Sequence, residues 1–259
     1  MGKTSLLRWV ERKASLWQGR AIVHLDARGL NERSPMVFVR GLAACMGKSV
    51  SDCPYDALHS LLPMVLLIDN ADLLLTTGSE FDGEFFGALR SFGQMGRFAW
   101  VAASPINLRD LMGDQGLTSP FLNDSRVVYT SLLEESAAQE LALRGGEAIA
   151  ASALGLAGSW AYGVQWVGDA LWRGAETADS VGDAFANAME PIFERWWARQ
   201  SLGERDILMA AVDGLEVSGA TRPTRLQVTR LVKMGLLTRQ NDVCTLPGRA
   251  WRNFVEVVP

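Results

Sequence analysis

The sequence predicts an α/β fold, in which a parallel sheet is followed by a helical segment and a winged-helix-like end. Up to about residue 133, short apolar segments of strand length alternate with helical segments, as in sheets whose parallel strands are joined by helices. Beyond that point, alanine-rich and tryptophan-rich helical periodicity replaces the strand pattern. We therefore expect a sheet domain at 1–133, a helical subdomain at 134–200 and a winged-helix-like domain at 201–259.

The first elements of the sheet domain follow from local patterns. Four apolar residues recur every three or four positions and predict an amphipathic helix that begins almost at the N-terminus: Leu6, Val10, Ala14 and Trp17. The β-branched segment 21–26 predicts a strand. A helix is expected at 35–46, because Ser34 can cap it and Pro35 suits its first position.

The centre of the sheet domain is marked by a continuous apolar segment. Residues 64–68 are all apolar, which is typical of a strand buried on both faces of a parallel sheet, and the segment ends at Asp69. A helix is predicted at 81–94, with further apolar strands at 98–103 and 127–132. These elements complete the alternation of a doubly wound sheet.

The last domain combines two helices with a hairpin. Helices are predicted at 204–212 and 224–234, and Gly235 suits the left-handed residue that ends the second helix. Two short strands at 236–239 and 243–246 flank a polar turn. A helix followed by a hairpin is the pattern of a winged helix.

Composition indicates a globular protein without a membrane span. Of 259 residues, 48% are hydrophobic and 21% are charged, and the net charge is −4, so the chain as a whole has no field that attracts nucleic acid. The longest apolar segment, 61–68, is far shorter than the roughly 20 residues that cross a bilayer. Three cysteines without a CxxC pair favour reduced thiols, so we expect a cytoplasmic protein.

A phosphate-binding motif opens the chain. Gly2, Lys3, Thr4 and Ser5, followed directly by a helix, match the end of the Walker A pattern GxxxxGK[ST]. In such a loop the glycine lets the backbone approach a phosphate, the lysine reaches the β and γ oxygens, and the hydroxyl binds Mg²⁺. The free N–H groups at the start of the helix also attract the anion.

A second motif strengthens the first. Asp69 ends a buried strand about 65 residues after the GKTS segment, as a Walker B acid does when it holds the Mg²⁺ shell through water. Together the two motifs predict a P-loop NTPase sheet that binds ATP or ADP with Mg²⁺. The first glycine of the loop and the strand before it are missing, so we expect a start codon assigned too late, a cut fragment, or a chain that has lost nucleotide binding.

Three polar residues near these motifs are candidates for chemistry. Asn70 stands where a glutamate would polarise the attacking water, and an amide can orient water but cannot take its proton. Hydrolysis should therefore be slow, unless Asp72 supplies the base; the alternative role of Asp72 is to cap or solvate the strand end. Ser104 follows the next strand, either as a polar sensor near the γ-phosphate or as the N-cap of a helix at 106–112.

These motifs together resemble the STAND branch of the AAA+-like P-loop ATPases. The resemblance spans nearly the whole chain and rests on four segments: 2–7, 66–72, 119–123 and 157–165. It implies a nucleotide-dependent signalling switch in which ADP and ATP states change self-association or the exposure of a protein partner. It also implies that the lid segment 157–165 contacts the adenine, with Ala161 where the family has a proline.

Two other functions stay open. Five basic residues could meet phosphates, which would make the chain a DNA-binding regulator: Arg222, Arg225, Arg230, Lys233 and Arg239. The second of these functions is a degenerate scaffold that binds neither nucleotide nor DNA. His24 and His59, the two histidines, have no HExxH or CxxC partner, so a metal hydrolase is disfavoured, and no GxSxG or GxGxxG segment occurs.

Overall fold

The computed structural model describes residues 2–13, 19–76, 79–114, 116, 120–174 and 177–258. The chain forms two compact units: Lys3–Val127, which we call the sheet unit, and Val128–Pro259 together with Met1–Gly2, which we call the helical unit.

The sheet unit alternates helices and strands. Its described elements are α1 (Lys3–Arg12), β1 (Ala21–Asp26), α2 (Pro35–Cys45), α3 (Pro54–Leu61), β2 (Met64–Asp69), α4 (Gly83–Gln94), β3 (Phe98–Ala102) and α5 (Leu108–Asp114). Short 3₁₀ turns follow β1 at Ala27–Gly29 and β2 at Ala71–Leu75.

The three strands form one parallel sheet in the order β1-β2-β3. Every residue of β2 is buried, which confirms the prediction of a strand covered on both faces. In the pairing of β1 with β2, Ala21 lies opposite Met64 and Asp26 lies opposite Asp69. Since parallel strands end at the same edge of a sheet, these two acids are neighbours at its carboxyl edge.

Helices cover both faces of this sheet. On one face, Leu7 of α1 packs with Val65 and Leu67 of β2. On the other face, Leu66 belongs to a larger apolar core that includes Phe38 of α2. The burial of α1 on the sheet fixes the position of its first turn relative to the end of β2.

The predicted strand at 127–132 is wrong. Residues 127–134 have no regular secondary structure, and Val128 is 69% exposed. A strand must pair its backbone N–H and C=O groups with a neighbour, and no strand of the described residues pairs with this segment. The apolar and β-branched residues of this segment suit a strand, but they do not provide the neighbouring strand that its backbone needs.

Other boundaries differ by small shifts that have local causes. Ser34 caps α2 as predicted, because its Oγ accepts a hydrogen bond from the backbone N–H of Val37. Helix α4 begins at Gly83, because Asp82 caps it. Helix α5 begins two residues later than predicted, and α3 was not predicted. Ala14 and Trp17, the last two positions of the predicted opening helix, lie outside the described residues.

The helical unit contains α6 (Glu135–Leu143), α7 (Glu147–Ala157), α8 (Ala161–Trp172), α9 (Ala178–Ala198), α10 (Leu202–Ala210), β4 (Leu215–Glu216), α11 (Arg222–Met234), β5 (Thr238–Gln240), β6 (Val243–Thr245) and α12 (Arg249–Val257). The three strands form an antiparallel sheet in the order β4-β6-β5. Gly235, at a φ of 75°, ends α11 as predicted.

One apolar core joins the two halves of the helical unit. Trp160 and Phe193, from the predicted helical subdomain, pack against Trp251 of α12 in the predicted winged-helix-like part. Trp172, the last residue of α8, is 71% exposed. No helix in the described part of the chain combines the length and apolar character needed to cross a membrane.

Candidate functional site

The amino end of α1 has the character of an anion-binding site. Gly2 precedes the helix at a φ of 88°, a left-handed conformation that favours glycine. Lys3 is the first helical residue, and the first turn carries no acidic side chain. The N–H groups at the start of a helix have no partner within the helix, so they and the lysine charge act in the same direction on an anion. Ser5 lies on the same turn and is exposed.

A hydrogen bond joins the two predicted motifs. The hydroxyl of Thr4 donates to Oδ2 of Asp69 over 2.5 Å, across 65 residues of sequence. Asp69 is only 4% exposed, and its Oδ1 accepts the backbone N–H of Asn70 over 3.1 Å. Burying a carboxylate costs free energy unless the group is hydrogen-bonded. These two hydrogen bonds therefore stabilise the position of Asp69 beside the first turn of α1.

The oxygen atoms of this pair suit Mg²⁺. A hydroxyl and a carboxylate are hard ligands of the kind that Mg²⁺ prefers. Among the described residues, no group of three or more His, Cys, Asp and Glu side chains could hold a metal alone. Mg²⁺ commonly takes one or two protein ligands and completes its shell with phosphate oxygens and water. Thr4 and Asp69 fit such a shared site.

Beside this pair lies a network that the sequence did not reveal. Asn70, at φ 55° and ψ 42°, donates its side-chain Nδ2 to Oδ1 of Asp26 over 2.9 Å. Arg28 holds the same carboxylate, with Nε 3.0 Å and a terminal nitrogen 2.6 Å from Oδ2. The site thus contains a second acid, on the neighbouring strand, that is bound to the residue in the place of the expected glutamate.

These contacts change the acidity of Asp26. The hydrogen bond from the Arg28 side chain lowers the pKa of Asp26 to about 2, the backbone N–H of Arg28 and the amide of Asn70 act in the same direction, and burial opposes them. The pKa of Arg28 is raised, first by its hydrogen bond to Asp26 and in smaller part by the charge of Asp69. The carboxylate is therefore a poor proton acceptor near neutral pH.

This shift predicts a pH dependence of stability. The folded-state pKa of Asp26 lies below its ordinary value of 3.8, so the ionised form stabilises the fold above about pH 4. That contribution should be lost as the pH falls towards about 2. Urea unfolding between pH 5 and pH 2 should show a stability gap between the wild type and Asp26→Asn that shrinks with falling pH. A gap that is constant with pH would contradict the assignment.

Two further predicted residues lie close in sequence to these strand ends. Asp72 is in the 3₁₀ turn after β2, and its Oδ1 is buried with no hydrogen-bond partner among the described residues. The Oγ of Ser104, two residues beyond β3, accepts the backbone N–H of Ile106 over 3.0 Å. This bond organises the turn before α5, and whether Ser104 also senses a phosphate stays a prediction.

The predicted lid residue lies in the helical unit. Ala161 is the first residue of α8, a position that would also accept proline. The preceding Trp160 is buried, and its indole nitrogen donates to the carbonyl of Gly235 over 3.0 Å. The turn that carries Ala161 is thereby fixed to the end of α11. Its contact with an adenine stays a prediction.

The proposed basic surface is partly neutralised within the protein. Arg230 lies 3.3 Å from the buried carboxylate of Glu204, and Arg239 lies 3.0 Å from Asp242. The other three basic residues of the set, Arg222, Arg225 and Lys233, are exposed. Two of the five side chains are thus engaged by acids, which reduces the charge available for nucleic acid.

Comparison with solved structures identifies the fold. The chain is similar to the Walker-type ATPase PABY2304 of Pyrococcus abyssi, with 15% identity and a TM-score of 0.59 over 99% of this chain and 88% of that chain. Weaker likenesses are to Cdc6p from Pyrobaculum aerophilum (15% identity, 98% of this chain and 83% of that chain, TM-score 0.47) and to the Aeropyrum pernix ORC2 protein in ADPNP-ADP complexes (13% identity, 98% and 82%, TM-score 0.49). No family model and no curated protein sequence matches. The chain thus shares its fold with this Walker-type ATPase.

Proposed function

We propose that this chain is an ATP-binding signalling switch of the STAND type, with slow or absent hydrolysis. The observation that carries the proposal is the hydrogen bond between Thr4, in the first turn of α1, and the buried carboxylate of Asp69. It brings a hydroxyl, a carboxylate and a helix N-terminus to one place. A triphosphate bound on α1 would there share its Mg²⁺ with both side chains.

The fold supports the same function. The sheet places the ends of β1, β2 and the segment after β3 at one edge, where ligands of open α/β sheets bind. The likeness to a Walker-type ATPase agrees with a nucleotide at this edge.

The residue after Asp69 sets the expected rate. Asn70 can hold a water molecule but cannot remove its proton, and the nearby Asp26 is engaged by Arg28. Bound ATP should therefore persist and act as a latch. The nucleotide state would control self-association or the exposure of a protein partner, as the resemblance to STAND proteins implies.

Nucleotide titration of Lys3→Ala tests this function. Removing the ammonium group should weaken Mg-ATP binding by roughly 10- to 100-fold or more, since a hydrogen bond to a charged group contributes about 1.5–3 kcal/mol and each 1.4 kcal/mol is about a factor of ten. The measurement is the dissociation constant of a fluorescent ATP derivative in the presence of Mg²⁺, for the variant and the wild type.

A second lysine on the same segment provides the control. Lys13 follows the last turn of α1 and lies 5.6 Å from the ring centroid of Trp9. Lys13→Ala removes the same charge and should leave the dissociation constant unchanged. If the wild type bound no ATP, or if the two variants bound it equally well, the switch would be rejected.

DNA binding by the helical unit is the rival function. It predicts an affinity for duplex DNA that falls steeply with salt and depends on Arg222 and Arg225, the exposed basic residues at the start of α11. This rival would be favoured if the wild type bound DNA in a salt-dependent way and bound no ATP. A scaffold that binds neither would show no response in either assay.

A further inference from the structure

The side chain of Asn70 has a fixed orientation in the sheet unit. An amide has one end that donates hydrogen bonds and one that accepts them, whereas an ionised carboxylate only accepts. Because Asp26 Oδ1 lies 2.9 Å from the amide, the carboxylate selects the nitrogen end, Nδ2. The oxygen end of Asn70 is then free to accept a hydrogen bond from another group.

Asp26 is itself held by several contacts. Its two oxygens accept hydrogen bonds from the Arg28 side chain, and Oδ1 also accepts the backbone N–H of Arg28 over 3.0 Å. The residue ends β1 directly opposite Asp69 in the pairing of β1 with β2. An acid held by both the backbone and the side chain of Arg28 can determine the orientation of its neighbour.

We propose that Asp26 is a positioning residue for ATP hydrolysis, because it turns the amide oxygen of Asn70 towards the attacking water. The inference rests on the proposed function. Water adds to the γ-phosphorus, the bond from phosphorus to the β–γ bridging oxygen breaks, and ADP leaves with that electron pair. The proton of the water passes to a phosphate oxygen, since the amide of Asn70 only accepts a hydrogen bond from the water. The acid expected after the Walker B strand is thus displaced to the neighbouring strand, where it acts through Asn70.

The first test is Asp26→Asn. An asparagine at 26 can still cap the 3₁₀ turn, but it can donate or accept towards Asn70 and so no longer selects one orientation. Single-turnover hydrolysis of Mg-ATP should slow about tenfold, as is typical when a supporting hydrogen-bond partner is removed. The dissociation constant of Mg-ATP should change by less than about twofold, since the hydrogen bonds of Asp26 go to Arg28 and Asn70.

The second test exchanges the two side chains. Asp26→Asn with Asn70→Asp restores the hydrogen bond between an amide and a carboxylate, and it places the carboxylate where it can take the proton of the water. Hydrolysis should then exceed the wild-type rate, by about tenfold or more. A hydrogen bond that only joined β1 to β2 would give wild-type hydrolysis in both the single and the exchanged variant.

A matched control removes an equivalent ion pair elsewhere in the sheet unit. Asp124 lies 3.0 Å from Nε of Arg90, so Asp124→Asn makes the same chemical change without touching the site. Its hydrolysis rate should equal that of the wild type. Folding of each variant is checked by its urea midpoint.

The outcomes separate the inference from the proposed function. Two results would overturn the positioning role and still support the switch. In the first, the wild type binds ATP but does not hydrolyse it; in the second, the wild type binds ATP and Asp26→Asn hydrolyses it at the wild-type rate. Absence of ATP binding by the wild type would overturn the switch itself.

Discussion

Asp69→Ala is expected to abolish the Mg²⁺ dependence of ATP binding. In the wild type, Mg²⁺ should raise ATP affinity on the order of 100-fold, near the upper end of ordinary coupling between two ligands. In the variant the presence of Mg²⁺ should change the affinity by less than about twofold. The reason is that Asp69 is the carboxylate that accepts the hydrogen bond of the Thr4 hydroxyl, and in the proposed site both oxygens would hold Mg²⁺ beside the phosphates.

The measurement is a pair of titrations with a fluorescent ATP derivative, one with Mg²⁺ and one with EDTA. Affinity in EDTA should stay close to that of the wild type, because Lys3 and the first turn of α1 remain. Asp69 is 4% exposed, so the urea midpoint must be compared before binding is interpreted. Asp124→Ala serves as the control, since its carboxylate pairs with Arg90 and not with the site. An undiminished Mg²⁺ effect in Asp69→Ala would place the metal elsewhere.

Local sequence patterns predict about half of the residues of the candidate site. Lys3 and Thr4 were identifiable because a short motif at the start of a helix has a recognised chemistry, and Asp69 because an acid ends a buried strand. Their meeting depends on Leu7 packing against β2, which the helical periodicity implied but did not locate. Lys3, Thr4 and Asp69 could therefore be named from the sequence, whereas the contact between Thr4 and Asp69 could not.

The other half depends on strand register, which the sequence does not display. Asp26 also ends a strand, yet nothing nearby in sequence distinguishes it from an ordinary strand-end acid. The role that we propose for Asp26 depends on its position opposite Asp69 and beside Asn70, which is 44 residues away in sequence. The only available signal was the recurrence of an acid at the end of two consecutive parallel strands.

The wrong strand at 127–132 has the same origin. Strand propensity describes how well side chains suit a pleated surface, but a strand also needs a neighbour for its backbone. Val128 shows the consequence, since it is a good strand residue that is largely exposed. Patterns within a segment predicted β1, β2 and β3 correctly. They gave a wrong strand at 127–132 because strand formation also depends on a neighbouring strand that lies elsewhere in the sequence.

The largest effect on stability is expected from Trp251→Ala in the helical unit. Trp251 is fully buried, stacks on Phe254 with 5.4 Å between ring centroids, and packs edge-on against Trp196 at 5.9 Å. Its indole nitrogen donates to the carbonyl of Leu236 over 3.1 Å. The variant should lose about 3–5 kcal/mol of unfolding free energy, because a large cavity forms and a buried carbonyl loses its partner.

Trp172→Ala is the matched control for this prediction. It removes the same side chain from a site that is 71% exposed, and surface substitutions usually change stability by less than about 0.5 kcal/mol. Urea unfolding followed by far-ultraviolet circular dichroism gives the midpoint and slope for each variant. Because Trp251 joins α12 to Trp160 and to α9, a loss confined to the last 60 or so residues would show that the two halves of this unit unfold separately. A single shifted transition for the whole helical unit is the expected result, since Trp160, Phe193 and Trp251 belong to one core.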